Sequence, residues 1–342
     1  MDEALQKVGA GLYGNNGCSS SSIKPFGSLV VLRFEEMLEW EEWVCCGVEF
    51  PCLKKLYIKK CPKLKGDIPK HFSYLTKLEI SECGQLVTCH PLSTTSPLLN
   101  TWRSRNVKIF QLFEMGLPPM LETLEIQGCP ILESLPEGMM QNNTTLQSLS
   151  IMHCNSLRSL PSINSLKTLL IEWCEKLELS LAEDMTHNHY ASLTTLYIGI
   201  SCDSLTSFPL AFFTKLETLD IWGCTNLESL YIPDGFHHVD LTSLQSLYIY
   251  YCANLVSFPQ GGLPTPNLRS LLISSSKKLR SLPQGMHTLL TSLQHLHISN
   301  CPEIDSFPEG GLPSNLSSLH IWNCNKTCGL PDGVGLANAS LS

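Results

Sequence analysis

The residues of this 342-residue chain best suited to chemistry are its sixteen cysteines and eleven histidines. Ten of the cysteines (Cys61, Cys83, Cys129, Cys154, Cys174, Cys202, Cys224, Cys252, Cys301 and Cys324) recur at long, similar intervals. Thiols placed this way could hold metal, form a redox ladder or fill a structural slot. The chain has no C-x-x-C pair, and one cysteine per interval is the pattern of a structural slot. His295 and His297 stand two residues apart, where an extended strand puts both on one face and a metal could bridge them. On a polar sheet face such a pair more often meets solvent or a partner. No phosphate-cradling glycine loop, H-E-x-x-H or G-x-S-x-G occurs. The expectation is a non-enzyme with no cofactor and no metal. Two binding sets remain. Lys54, Lys55, Lys59 and Lys60 crowd one short run, and Tyr197, Trp222, Tyr248, Tyr250, Trp322, His297 and His320 recur at corresponding positions farther on.

The elements that position them repeat. The frame L-x-x-L-x-I-x-x-C-x-x-L begins at Leu53, Leu75, Leu121, Leu146, Leu166, Leu216, Leu244, Leu293 and Leu316. Leu193 carries it with one residue inserted before Cys202, and Leu268 carries it with Ser276 in the cysteine slot. The period is about 24 residues, and the doubled gap after Leu75 implies a hidden, degenerate unit within 91–120, built on Leu98, Leu99, Trp102, Val107 and Ile109, with an exposed insertion as the alternative. This is the leucine-rich repeat signature. Alternating apolar residues in L-x-I predict a strand of three to five residues that must stack on its neighbours to bury its face. A second ladder, from Leu135-Pro136 to Leu330-Pro331 and often followed by an acid or amide and glycine, predicts turns on the opposite side. The expected fold is an α/β leucine-rich repeat solenoid, a horseshoe with a concave parallel sheet and a turn-rich, helix-poor convex side. Its expected parts are a flexible segment 1–27, a repeat domain 28–334 of about twelve units and a frayed tail 335–342.

Lys55 and Lys59 then face the concave side, together with Lys54, and Lys60 lies at the strand exit. The aromatic and histidine set lines the same face in later units. Exposed Tyr and Trp on rigid strands suit partner binding, although neighbouring aromatics could also stack only to support the sheet. The two tryptophans of the first unit, Trp40 and Trp43, read as repeat packing. Long units at 166–192 and 216–243 should place His187–His189 and Asp234–His238 in convex loops.

Net charge is −8 and the sequence pI about 5.8, which argues against general nucleic-acid binding. Charge is uneven: residues 1–50 carry −5, 51–110 carry +8 and 111–342 carry −11. The basic block is either a docking surface or a solvated face. No apolar run reaches membrane-spanning length. The first residues are acidic and lack the apolar core of a secretion signal. Free thiols in a reducing, cytoplasmic or nucleo-cytoplasmic compartment are therefore expected, and the glycosylation sequons, Asn143 among them, read as accidental.

Several features together resemble the leucine-rich repeat region of plant intracellular immune receptors, the nucleotide-binding disease-resistance proteins of the coiled-coil class. They are the units ending in Ser-Leu/Phe-Pro (Leu146–Pro161, Leu244–Pro259), the spacers Gly261–Leu268 and Gly311–Leu316, and the opening Lys24–Leu29 followed by Met37, Trp40 and Trp43. The resemblance implies recognition of a pathogen effector, directly or through a guarded host protein. It also implies docking on the receptor's own nucleotide-binding domain to hold it inactive. The coiled-coil and nucleotide-binding parts have no counterpart in this chain, and no polar capping repeat is visible at either end, so a piece of a longer receptor is expected. The alternatives are an extracellular receptor ectodomain, which would need a signal and flanking cysteine pairs, and the substrate-recognition repeats of a ubiquitin-ligase adaptor.

Overall fold

The first and fourth leucines and the isoleucine of each frame dictate where the chain goes, because short strands can bury these side chains only against their neighbours. A computed structural model describes residues 7–8, 26–44, 50–66, 68–69, 72–86, 96–107, 116–140, 143–179, 190–233, 241–324 and 339–341. The chain divides into two compact units, Met1–Ser165 and Leu166–Ser342.

The first unit contains β1 (Lys7–Val8), β2 (Val31–Glu35), β3 (Glu42–Trp43), β4 (Lys55–Lys59), β5 (Lys77–Ser81), β6 (Thr101–Arg105), β7 (Thr123–Gln127) and β8 (Ser148–Met152). Strands β2, β4, β5, β6, β7 and β8 pair in that order, all parallel, with equivalent repeat positions opposite each other. The second unit contains β9 (Thr168–Glu172), β10 (Thr195–Gly199), β11 (Ser207–Pro209), β12 (Thr218–Trp222), β13 (Ser229–Tyr231), β14 (Ser246–Tyr250), β15 (Ser270–Ser274), β16 (His295–Ser299), β17 (Ser318–Trp322) and β18 (Ala339–Leu341). Here β9, β10, β12, β14, β15, β16, β17 and β18 form the parallel ladder. Each unit is a leucine-rich repeat solenoid. Strands β1 and β18, in the stretches expected to be a flexible start and a frayed tail, pair with β3 and β17 of the repeat domain.

One side of the ladder strands from β4 to β17 is interior. Leu56, Leu78, Leu124, Leu149, Leu169, Leu219 and Leu247 are fully buried, as are Ile58, Ile126, Ile171 and Ile249. Burying each such side chain is worth about 1.5–3 kcal/mol. The hidden unit is also resolved. Strand β6 keeps the frame with Leu99, Trp102, Ser104 and Val107 in the Leu, Leu, Ile and Cys slots, all buried. Leu98 is exposed, and Ile109 lies outside the described residues.

The cysteine slot is a corner. The residue before it adopts a left-handed backbone, φ between 51° and 69°, at Lys60, Glu82, Asn106, Gly128, His153, Trp173, Gly223, Tyr251, Ser275, Asn300 and Asn323. Its N–H extends the ladder by one bond to the next coil, as in Lys60 to Ser81 O (2.9 Å) and Tyr251 to Ser274 O (3.0 Å). The cysteine carbonyl then accepts from the leucine three residues on, at 3.2 Å from Leu64 to Cys61 and 3.1 Å from Leu255 to Cys252. This explains the spacing C-x-x-L. The thiol donates back to the carbonyl two residues earlier, 3.2 Å at Cys83 and 3.3 Å at Cys301, and reaches the preceding coil, as from Cys129 to Val107 O at 3.4 Å.

The side away from the sheet is extended. Parallel bridges join Ser134 to Ser159 and Ser281 to Ser306, and β11 pairs with β13. Described helix there is confined to single turns at Glu137–Met140, Leu210–Phe212 and Met286–Leu289. Trp40 and Trp43 are buried and form an aromatic cluster with Phe34, at 4.7 and 5.1 Å between ring centroids. The sequon at Asn143 is buried, its amide donating to Pro118 O and Leu121 O at 2.6 and 2.9 Å. The histidine-bearing loops at 187–189 and 234–238 lie outside the described residues.

Candidate partner-binding face

Strand alternation presents three residues per strand on the open face of the sheet. In the first unit half of these side chains are ionic. Arg33 lies over the Tyr57 ring at 4.0 Å. Lys59 and Lys77 pair with Glu79 at 2.5 and 3.7 Å, Arg103 pairs with Glu125 at 2.9 Å, and Arg33 with Glu35 at 3.5 Å. The four expected docking lysines separate accordingly. Lys55, Lys59 and the neighbouring Tyr57 are on the open face. Lys54 is not, because it precedes β4 and has the wrong parity for that row; its carbonyl instead receives the N–H groups of Thr76 and Lys77. Lys60 occupies the left-handed corner and pairs with Glu36 at 2.8 Å, which raises the lysine pKa and lowers that of the glutamate. Among the described residues Lys54 and Lys55 form no ion pair.

The second unit is different. Its middle row reads Leu170, Tyr197, Asp220, Tyr248, Leu272, His297, His320 across successive strands, and the row beside it reads Glu172, Gly199, Trp222, Tyr250, Ser274, Ser299, Trp322. Tyr197, Trp222, Tyr248 and Tyr250 therefore share one patch. Trp222 stacks on Tyr250 with ring centroids 6.3 Å apart. The indole fits because position 199 is glycine: a Cβ there would sit 1.9 Å from Trp222 Nε1. Trp322, 44% exposed, and the histidines lie farther along. His297 and His320 stack at 4.4 Å, and His297 Nε2 is 3.0 Å from Ser299 Oγ. Burial first, and the charge of His320 second, hold the His297 pKa down. His295 is exposed on the same face. No group of three or more metal-ligating side chains occurs among the described residues.

Three side chains of this patch escape a reading of aromatic positions alone. Trp173 and Tyr251 sit in the left-handed corner, 38% and 61% exposed, and meet Trp222 and Tyr250 edge-on at 6.2 and 6.0 Å. The signal for them was the position before the cysteine slot. Asp220 lies between Tyr197 and Tyr248 in register, a place the alternation of the frame itself assigns. Burial foremost, opposed by the Tyr250 hydroxyl and aided by the charge of Glu172, raises its carboxyl to about 6. Burial also raises the Tyr250 pKa.

The cysteine ladder lies away from this face, in the buried corners. Nine of its members are buried and Cys324 is half-buried. Burial pushes the thiols of Cys224 and Cys301 up to about 11 and that of Cys252 to about 12, so these three stay protonated at neutral pH. Cys61 differs, because a hydrogen bond with the Cys83 thiol lowers it to about 7.

The parallel ladder, the L-x-x-L-x-I frame and the buried cysteine corner define a leucine-rich repeat protein. The chain belongs with the leucine-rich repeat regions of plant disease-resistance proteins. One disease-resistance protein of Arabidopsis thaliana is 44% identical over 83% of this chain and 31% of its own length. The RPP13-like disease-resistance protein 1 of Arabidopsis thaliana is 30% identical over 47% of this chain and 16% of its own. The chain thus spans under a third of the length of these relatives. No protein-family model matches it. Among solved structures, the leucine-rich repeat domain of the type III effector XopL aligns with 65% of this chain and 76% of its own, at 25% identity and TM-score 0.45. TLR13 in its complex with ssRNA13 aligns with 93% of this chain and 54% of its own, at 15% identity and TM-score 0.43. Among the described residues, no helix is long and apolar enough to cross a membrane.

Proposed function

We propose that residues 28–334 are the recognition domain of an intracellular plant immune receptor, a binding module rather than an enzyme. It senses a pathogen effector, directly or through a guarded host protein, on the open face of the second unit. The observation that carries this reading is the cluster of partly exposed aromatic side chains, Tyr197, Trp222, Tyr248 and Tyr250, on hydrogen-bonded strands of a chain related to disease-resistance proteins. Rigid, amphipathic side chains of this kind dominate binding energy at protein interfaces. The relatives and the free, largely buried thiols favour a cytoplasmic or nucleo-cytoplasmic setting.

The first unit has a second role in this reading, docking on the receptor's own nucleotide-binding domain through Lys54 and Lys55. Lys59 and Lys60 are already paired within the chain. The test is a full-length receptor carrying these repeats. Trp222→Ala with Tyr250→Ala should abolish the pathogen response without constitutive signalling. Lys54→Glu with Lys55→Glu should raise resting activity and leave recognition in place. A normal response from the aromatic double variant, at normal protein level, would overturn the recognition half.

A further inference from the structure

We propose that the patch around Asp220 captures a cationic side chain, an arginine or lysine, presented by the protein partner. This rests on the recognition reading above and specifies the chemistry of its partner. The first observation is a contrast in charge pairing. On the open face of the first unit Glu35, Glu79 and Glu125 each have a lysine or arginine within 4 Å. The corresponding rows of β9 to β17 contain the carboxylates of Glu172 and Asp220 and no lysine or arginine. Among the described residues neither carboxylate forms an ion pair. Among the described residues two acids thus stand without a cation on the sheet face that also carries the aromatic rings.

The second observation is what surrounds Asp220. It is flanked by Tyr197 and Tyr248 in register and lies beside Trp222 and Tyr250. Its Oδ1 is buried and finds no hydrogen-bond partner among the described residues, and the same holds for Trp222 Nε1. Leaving such groups unsatisfied is costly, and a cation brought against the open side of the carboxylate offsets that cost through charge. Tyrosine and tryptophan faces attract the same cation. The groups facing Asp220 from adjoining strands are Glu172 on β9, Tyr197 on β10, and Tyr248 and Tyr250 on β14, with the Cys252 thiol beyond. None of them supplies positive charge. Unit 2 is also acidic as a whole, with fifteen Asp and Glu against eight Lys and Arg, which favours a basic partner surface.

The probe is N-acetyl-arginine amide, with the uncharged citrulline analogue as control. The readout is the indole N–H resonances of the six tryptophans in the intact chain, with the Trp222 signal assigned through Trp222→Phe. The expected result is a saturable shift of the Trp222 resonance with the arginine compound, at least tenfold weaker with citrulline. It should strengthen as the pH rises from 5 to 7 and be lost in Asp220→Asn. Equal shifts from both compounds, or an unchanged response in Asp220→Asn, would overturn cation capture. The receptor assay separates the two readings. If Asp220→Asn responds normally while Trp222→Ala with Tyr250→Ala does not, the cation inference fails and recognition by this face survives. If neither variant loses response, the recognition reading fails.

Discussion

Cys252 illustrates how a residue that could do chemistry is held back from it. Its thiol is buried and donates to Tyr250 O at 3.6 Å and Ile221 O at 3.8 Å. Cys252→Arg would place an unpaired charge in this corner and should cost about 4 kcal/mol or more, read as a fall in the denaturation midpoint. Cys252→Ser, which keeps a donor, should cost far less. Thiol labelling of the native chain should modify exposed Cys52 well before Cys224, Cys252 or Cys301. Asp220 behaves in the opposite way. Its folded pKa, about 6, lies above the ordinary value near 4, so folding disfavours its ionised form. The stability linked to this group is full below about pH 4 and declines as pH rises through 6. Asp220→Asn should therefore melt higher than the parent at pH 7.5 and match it at pH 4. A gain equal at both pH values would show that the carboxylate is not desolvated.

At the scale of the element, the corner before each cysteine is where sequence and backbone are least matched. Glycine occupies it at 128 and 223, whereas His153, Trp173 and Tyr251 adopt the same left-handed backbone with large side chains. A β-branched side chain is strained at such a φ. A Cβ at position 223 would also meet Ile200 Cγ1 at 2.6 Å. Gly223→Val should thus lower stability by about 2 kcal/mol, and His153→Gly should raise it by up to about 1 kcal/mol, in chemical denaturation. The degenerate coil offers a further check. Ser104 fills an isoleucine slot with its hydroxyl buried and without a partner among the described residues. Ser104→Ala should stabilise by about 1 kcal/mol. The strands themselves were legible because L-x-x-L-x-I alternates in polarity and repeats in register. The corner was not, because residues as unlike as Glu82, Trp173 and Asn300 occupy it, and only the shared backbone angle unites them. The hidden strand β6 was legible as a gap in the period, although Trp102 and Ser104 mask its frame.

For the whole molecule, the two units offer faces of different chemistry. The open face of the first holds ion pairs around Tyr57, and that of the second is aromatic and histidine-rich with two acids that form no ion pair among the described residues. The aromatic members of the second face could be placed from sequence, since Tyr197, Trp222, Tyr248 and Tyr250 follow from strand alternation. The pairing of Lys59 and Lys60 could not, since their partners Glu79 and Glu36 come from neighbouring coils. Docking through Lys54 and Lys55 should accordingly weaken with salt over 50–500 mM, because exposed charges are screened. Contact through the second unit should weaken less, because its ring contacts at Trp222 and Tyr250 are not ionic and only the cation at Asp220 is screened. The most direct measurement is hydroxyl-radical footprinting of a receptor carrying these repeats, before and after it is triggered. Protection of Trp222, Tyr250 and Tyr251, with no change at the exposed, off-sheet Tyr74 and Ile131, is the predicted result. Protection of Tyr74 or Ile131 with Trp222 and Tyr250 unchanged would contradict recognition by the open face of the second unit.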